Sequence, residues 1–211
     1  MSNPQKTELK IDKTAKVSVL KNEENPNDQL LIVLHGYGQL SQFFIQKFSS
    51  LTHQCDIIAP EGMHRFYLNG SSGRVGASWM TKEERETDIE DNQKYLEEVL
   101  SNFTQGYKKV FLLGFSQGGA TAARFYENNS EKISSLILWA SVIPPDCKLA
   151  LESLNGANNY FVLGKNDEYF NPKIQKEVID LHQNRGFTTI EFEGQHDIDS
   201  KTLDRLFDEL K

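Results

Sequence analysis

Short, uninterrupted apolar runs alternate along the chain with stretches whose apolar residues recur at helical spacing. Leu30-Leu31-Ile32-Val33-Leu34 ends at Gly36 without polar alternation, the pattern of a strand buried on both faces. Runs of the same kind lie at residues 56–59, 110–113, 136–139 and 160–163, and residues 188–192 are expected to form the last strand. Residues 17–20 predict an early strand, with residues 9–11 expected to pair with it as a hairpin. The polar, proline-containing residues 22–28 read as a turn. Helices are expected over residues 41–49, 87–103, 117–127, 172–183 and 201–210. The longest has Ile89, Leu96, Val99 and Leu100 at helical spacing. Strands alternating with helices predict an α/β fold, a mostly parallel central sheet with helices on both faces. No internal repeat, linker or low-complexity tract divides the chain, so one domain is expected over residues 1–211.

Two intervals bear on function. Residues 60–80 form a long Gly/Ser-rich segment containing Gly70-Ser71-Ser72-Gly73 and then Trp79, and a long loop inside a compact domain is often functional. The strands expected to end at Trp139 and to begin near Asn159 are close in sequence. That gap has no room for a lid domain, so an open site is expected.

Composition narrows the function classes. A chain of 211 residues can bury a substantial core without disulfides or metals. The net charge of -7 argues against nucleic acid or an anionic membrane surface as the main partner. Cys55 and Cys147 lie far apart and outside any Cys-x-x-Cys or Cys/His cluster, so they read as unpaired thiols, and no metal site is expected. Met1-Ser2-Asn3-Pro4-Gln5-Lys6 lacks the apolar core of a signal peptide. No apolar stretch approaches the length of a membrane span. A cytoplasmic location without integral membrane association is expected.

The chemistry is carried by Gly114-Phe115-Ser116-Gln117-Gly118, a Gly-x-Ser-x-Gly string between an expected strand and an expected helix. A sharp turn there exposes the serine, the small glycines allow close approach of strand and helix, and the helix N-terminus offers free N–H groups to an oxyanion. A serine nucleophile needs a base, and in this arrangement the order is Ser, then Asp or Glu, then His. Only His182 and His196 follow Ser116. His182 lies in an amphipathic helical run and reads as a helix-surface residue. His196 follows the last strand, in a loop at a strand's C-terminal end where functional loops gather. Asp167, after the strand at 160–163, is the expected orienting carboxylate, with Glu168 its local competitor; Asp146 reads as a turn residue and Asp197 is badly placed to orient its neighbour's ring. The second oxyanion donor should come from His35-Gly36-Tyr37-Gly38, where the Tyr37 N–H is the best candidate to pair with that of Gln117, and His35 reads as structural.

At these residues the chain resembles the phospholipase/carboxylesterase family of α/β-hydrolases, which includes acyl-protein thioesterases. The resemblance rests on Leu34-His35-Gly36-Tyr37-Gly38, Gly114 through Gly119, Gly164 through Asp167, and Gly194-Gln195-His196, with Ala77-Ser78-Trp79 similar to a tryptophan-bearing loop of that family. It implies a lidless eight-strand-type sheet, no cofactor, and hydrolysis of carboxylic esters or thioesters. It also implies Ser116, Asp167 and His196 as the triad, with Tyr37 and Gln117 as oxyanion donors. The sequence departs from the family pattern at Gln39-Leu40-Ser41, at Glu168-Tyr169-Phe170 and at Ala140-Ser141-Val142, all near the expected groove.

Trp79, Tyr67, Phe66, Trp139 and Ile143 are the candidate groove residues, apolar enough for an acyl chain or aromatic ester. Arg65 and Arg74 read as solvated surface charges. The expected partner is a small-molecule ester or thioester, with an acylated lipid or protein among the candidates; acyl group, leaving group and oligomeric state are not specified. A non-catalytic binding protein on a hydrolase scaffold would show a broken triad, and a dienelactone-type hydrolase would carry cysteine at position 116. A peptidase is the remaining alternative, and a metal-dependent hydrolase lacks the His-x-His or Asp/His cluster it would need.

Overall fold

A computed structural model describes residues 3–23, 26–149 and 158–210. In chain order the elements are β1 (Val17–Leu20), β2 (Gln29–Leu34), α1 (Ser41–Phe44), a 3₁₀ segment (Ile45–His53), β3 (Asp56–Pro60), β4 (His64–Asn69), β5 (Ser72–Ser78), α2 (Arg85–Phe103), β6 (Lys109–Phe115) and α3 (Gln117–Asn129). A short 3₁₀ turn (Ser130–Lys132), β7 (Ser135–Trp139), β8 (Tyr160–Gly164), α4 (Pro172–Asn184), β9 (Thr188–Phe192) and α5 (Ser200–Glu209) complete them. Seven strands form one sheet in the order β1-β3-β2-β6-β7-β8-β9, parallel throughout except that β1 runs antiparallel to β3. The five interior strands are almost wholly buried, which is why they read as unbroken apolar runs.

The chain leaves β2 toward β3 on one side and returns to β6 on the other, so the connections after β2 and β6 diverge at their shared edge. Such a switch point opens a crevice at the C-terminal ends of the strands. Helix α3 packs against β6, β7 and β2 and is backed by α2, while α5 packs on the 3₁₀ segment Ile45–His53. No helix among the described residues is long and apolar enough to cross a membrane.

Four local expectations are corrected. Residues 41–49 are not one α-helix: after a single α turn the buried residues are Ile45, Phe48 and Leu51, every third position, which suits the tighter 3₁₀ winding. Residues 9–11 form no hairpin with β1, because β1 pairs with the buried strand β3, and Leu9 and Ile11 stay exposed. The sheet of the described residues has seven strands rather than eight. The segment at 60–80 is an ordered hairpin, β4 against β5, apart from the sheet. Asn69 pairs with Ser72, leaving Gly70-Ser71 as a two-residue turn with Gly70 at φ 65°, the conformation a glycine supplies at the first position of such a loop. Residues 150–157, inside the interval read as too short for a lid, lie outside the described residues, as do 24 and 25 of the expected turn at 22–28.

His182 is also corrected. It is fully buried, stacked on Phe161 at 3.8 Å, with Nδ1 bonded to the Val178 carbonyl and Nε2 without a partner among the described residues. Burial disfavours the imidazolium and holds this group at about 4 against an ordinary 6.5. The unfolded chain therefore takes up the proton first, and stability present at neutral pH is lost as pH falls from about 6.5 toward 4. At about 1.4 kcal/mol per unit, His182 should account for about 3 kcal/mol of that loss. Urea unfolding at pH 7 and pH 4 should show His182→Leu losing less stability on acidification than wild type by about this amount; parallel pH profiles would exclude it.

Candidate active site

The site begins at the turn joining β6 to α3. Ser116 sits there at φ 52° and ψ -119°, a strained conformation for a residue with a side chain. Its N–H donates to the Trp139 carbonyl at 3.0 Å and its carbonyl accepts from Gly119 N–H at 2.9 Å. The flanking glycines are there for space. A Cβ on Gly114 would lie 2.5 Å from the Gly118 carbonyl oxygen, one on Gly118 would overlap the Leu34 carbonyl oxygen, and one on Gly119 would overlap Ser141. Ser116 is partly exposed, and its hydroxyl makes no hydrogen bond among the described residues.

Loops after β8 and β9 bring Asp167 and His196 together. Asp167 is buried; one carboxylate oxygen accepts the Tyr169 N–H at 3.0 Å, and the other lies 2.7 Å from His196 Nδ1. The two loops are tied by Lys165 N–H to the Phe192 carbonyl and Asn166 N–H to the Gly194 carbonyl, each 2.9 Å. Gly164 makes this possible, since a Cβ there would come within 2.6 Å of the Gly194 and Gln195 carbonyl oxygens. The His196 ring lies 4.9 Å from the ring of Phe115, the residue before Ser116, and 4.5 Å from that of Tyr169. The imidazole is thus beside the β6–α3 turn. Glu168, the local competitor, accepts the backbone N–H of His196 at 3.4 Å and supports the loop instead.

Other titratable groups are engaged elsewhere. Asp146 accepts from Arg124 at 2.7 and 2.9 Å and from Arg85 at 2.7 Å, and the Arg124 hydrogen bonds hold its carboxyl well below the usual range. His35 is fully buried: Nε2 accepts from Gly62 N–H at 2.9 Å, so Nδ1 carries the proton donated to the Gly36 carbonyl at 2.8 Å, and burial lowers its pKa. It is a neutral structural residue. Cys55 and Cys147 are buried thiols, each pushed up to about 12, first by burial. Among the described residues no three His, Cys, Asp or Glu side chains gather as metal ligands.

The loop His35-Gly36-Tyr37-Gly38 faces the first turn of α3. Gly38 N–H donates to the Ala77 carbonyl at 2.9 Å and Gly36 N–H to the Gln39 side chain at 2.9 Å. Among the described residues neither the Tyr37 nor the Gln117 N–H has a protein partner. Two unpaired donors at the end of β2 and the start of α3 are what a developing oxyanion needs.

The groove expectations divide. Phe66 and Tyr67 lie on β4, Phe66 half-buried with its ring 5.0 Å from that of Tyr37 and tilted 32° to it, Tyr67 exposed. Tyr37, Phe66, Arg65, Ser78 and Thr81 line a cavity of about 370 Å³ on that side. Trp79, Trp139 and Ile143 are corrected: at 0%, 0% and 3% exposure they belong to the core and present no surface to a ligand. Trp139 ends an interior strand with its indole N–H on the Asp197 carbonyl at 2.9 Å. Arg65, read as a solvated charge, donates to Glu61 at 2.7 Å. Tyr169, 69% exposed against His196, was missed as a site residue; its signal was the Glu168-Tyr169-Phe170 departure after Asp167.

Gly118→Ala should destabilise the protein by on the order of 1–3 kcal/mol, since the Leu34 and His35 carbonyls it would strike are backbone of an interior strand and its loop. An unchanged denaturation midpoint would show that the turn is not held by this close approach.

A sequence model described as phospholipase/carboxylesterase matches residues 15–211. The structure is similar to Zea mays acyl-protein thioesterase 2, with TM-score 0.70 at 16% identity over 93% of this chain and 98% of that one. It is similar to the Bacillus cereus carboxylesterase, TM-score 0.66 at 16% identity over 93% and 95%. Esterase PE8 gives TM-score 0.65 at 18% identity over 93% and 97%. No curated protein matches the sequence. The fold is that of the α/β-hydrolases, with no lid domain among the described residues.

Proposed function

The chain belongs to the phospholipase/carboxylesterase family of α/β-hydrolases, and from that premise we propose that it is a single-domain serine hydrolase cleaving carboxylic esters or thioesters through an acyl-enzyme on Ser116. His196 takes the Ser116 proton as Oγ attacks the acyl carbonyl. The Tyr37 and Gln117 N–H groups stabilise the tetrahedral oxyanion. His196 then protonates the departing alcohol or thiol, and the cycle repeats with water as nucleophile. Asp167 holds the imidazole with its proton on Nδ1 and stabilises the charged ring.

The observation that carries this reading is the 2.7 Å contact between Asp167 and His196 Nδ1, with the imidazole against Phe115 at the strained Ser116 turn. A buried carboxylate there leaves Nε2 as the ring's basic edge. The family's esterase character and the similarity to a thioesterase support ester or thioester substrates. The substrate approaches past exposed Tyr37, Tyr67 and Tyr169, with half-buried Phe66 beside them. Exposed rings on this rim favour an acyl or aryl group laid along an open surface.

Ser116→Ala should abolish fluorophosphonate labelling and lower ester hydrolysis by about 10⁴-fold or more, with folding intact. Full activity in that variant rules the nucleophile out. Asp167→Asn should lower kcat by about 10⁴-fold through the wrong imidazole tautomer. Steady-state rates on a chain-length series of p-nitrophenyl esters and matching thioesters measure both effects, and a maximum along the series reports groove length.

A further inference from the structure

The two candidate oxyanion donors come from separate elements, the loop after β2 and the first residue of α3, yet both are held by one segment, residues 76–80 at the exit of β5. On the α3 side, the Trp79 backbone N–H donates to Gln117 Oε1 at 3.0 Å, and Gln117 Nε2 donates to the Met80 carbonyl at 2.8 Å and to Ser78 Oγ at 3.1 Å. The Ser78 hydroxyl completes the knot by donating to the Met80 carbonyl at 2.9 Å. On the β2 side, the Trp79 indole N–H donates to the His35 carbonyl at 2.8 Å, two residues before Tyr37. The Ala77 carbonyl accepts the Gly38 N–H at 2.9 Å, and Gly76 packs directly onto the Gly38 backbone. Asn92, buried on α2, anchors the segment from behind by donating to the Trp79 carbonyl at 2.7 Å. Every polar atom of Trp79 is therefore hydrogen-bonded within the protein, one N–H to each donor-bearing element and the carbonyl to α2, and none faces a ligand.

We propose that Trp79 and the Gln117 side chain are positioning residues that set the separation of the Tyr37 and Gln117 N–H groups. The inference rests on the acyl-transfer reading above. Its physical basis is that an oxyanion site works only if its donors are already aimed before the charge develops, so that no reorganisation accompanies the reaction. The close approach of Gly118 to the Leu34 and His35 carbonyls joins the two elements at one point, and a second tie is needed to fix how each N–H is turned about it. A shared tryptophan with one backbone and one indole hydrogen bond, one to each side, couples them.

The test is Trp79→Phe, which keeps an aromatic ring but removes the indole N–H together with the buried five-membered ring that carries it, with Gln117→Met as a second variant that removes the amide bonds, leaves the backbone donor and opens no such cavity. Folded sites are counted by fluorophosphonate titration. Removing an oxyanion donor outright costs about 10²–10³-fold, so misaiming one should lower kcat per titrated site by about 10- to 100-fold with KM little changed. Affinity for a short alkyl boronic acid, whose serine adduct mimics the tetrahedral oxyanion, should fall by the same factor, while binding of the carboxylic acid product should not. Wild-type kcat and boronate affinity per titrated site in a folded variant overturn the proposal, as does a loss confined to the fraction of folded protein. If Trp79→Phe does not fold, Gln117→Met decides by the same readings. A wild-type protein inert to fluorophosphonate and to esters overturns the acyl-transfer reading itself, a result distinct from the other failures.

Discussion

The turn from β6 into α3 admits no side chain at three positions, and the placement of the remaining site groups follows from that crowding. Gly118 brings the first turn of α3 onto the carbonyls that end β2, Gly114 fits beneath it, and Gly119 meets the loop after β7. The approach forces Ser116 to φ 52°, a conformation that costs on the order of 1–3 kcal/mol for a non-glycine residue. The surrounding structure offsets it with the hydrogen bond from Ser116 to Trp139 and the helical bond back from Gly119. Because the same contact sets the distance between the ends of β2 and α3, it also sets where two unpaired N–H groups stand relative to the serine.

Around this turn the polar atoms divide into those that are saturated and those that are not. Both ring nitrogens of His35 and both amide atoms of Gln117 are hydrogen-bonded, Asn92 gives its Nδ2 to the Trp79 carbonyl while its Oδ1 has no partner among the described residues, and Asp146 is consumed by two arginines. Their role is to hold loops still. The Ser116 hydroxyl and the Tyr37 and Gln117 N–H groups stay without protein partners among the described residues. An unpaired donor left beside a nucleophile is costly in a core and useful at a reaction centre, where the missing partner is the substrate's developing charge.

The tryptophans show how a residue type can mislead about its place. Both look like groove residues because a large aromatic near a Gly/Ser-rich stretch or at a strand end suits an apolar ligand. Each instead buries its ring completely and uses its indole N–H as a brace, Trp79 on the loop carrying Tyr37 and Trp139 on the loop carrying His196. The exposed apolar rim is built from tyrosines, whose hydroxyls tolerate water.

The sequence by itself determined the alternation of strands and helices, the buried parallel sheet, and the order in which Ser116, Asp167 and His196 fall at strand ends. It could do so because strands covered on both faces carry unbroken apolar runs, and because a tight strand-to-helix turn demands glycines at fixed offsets. Tertiary structure alone decided what depends on contacts between distant segments. His182 has the local pattern of a helix surface, yet α4 turns it inward onto Phe161. Residues 60–80 have the composition of a loop, yet they pair into a hairpin whose exit ties β2 to α3. Burial and hydrogen-bond partnership are properties of the packed assembly, and no window along the chain contains both partners of such a contact.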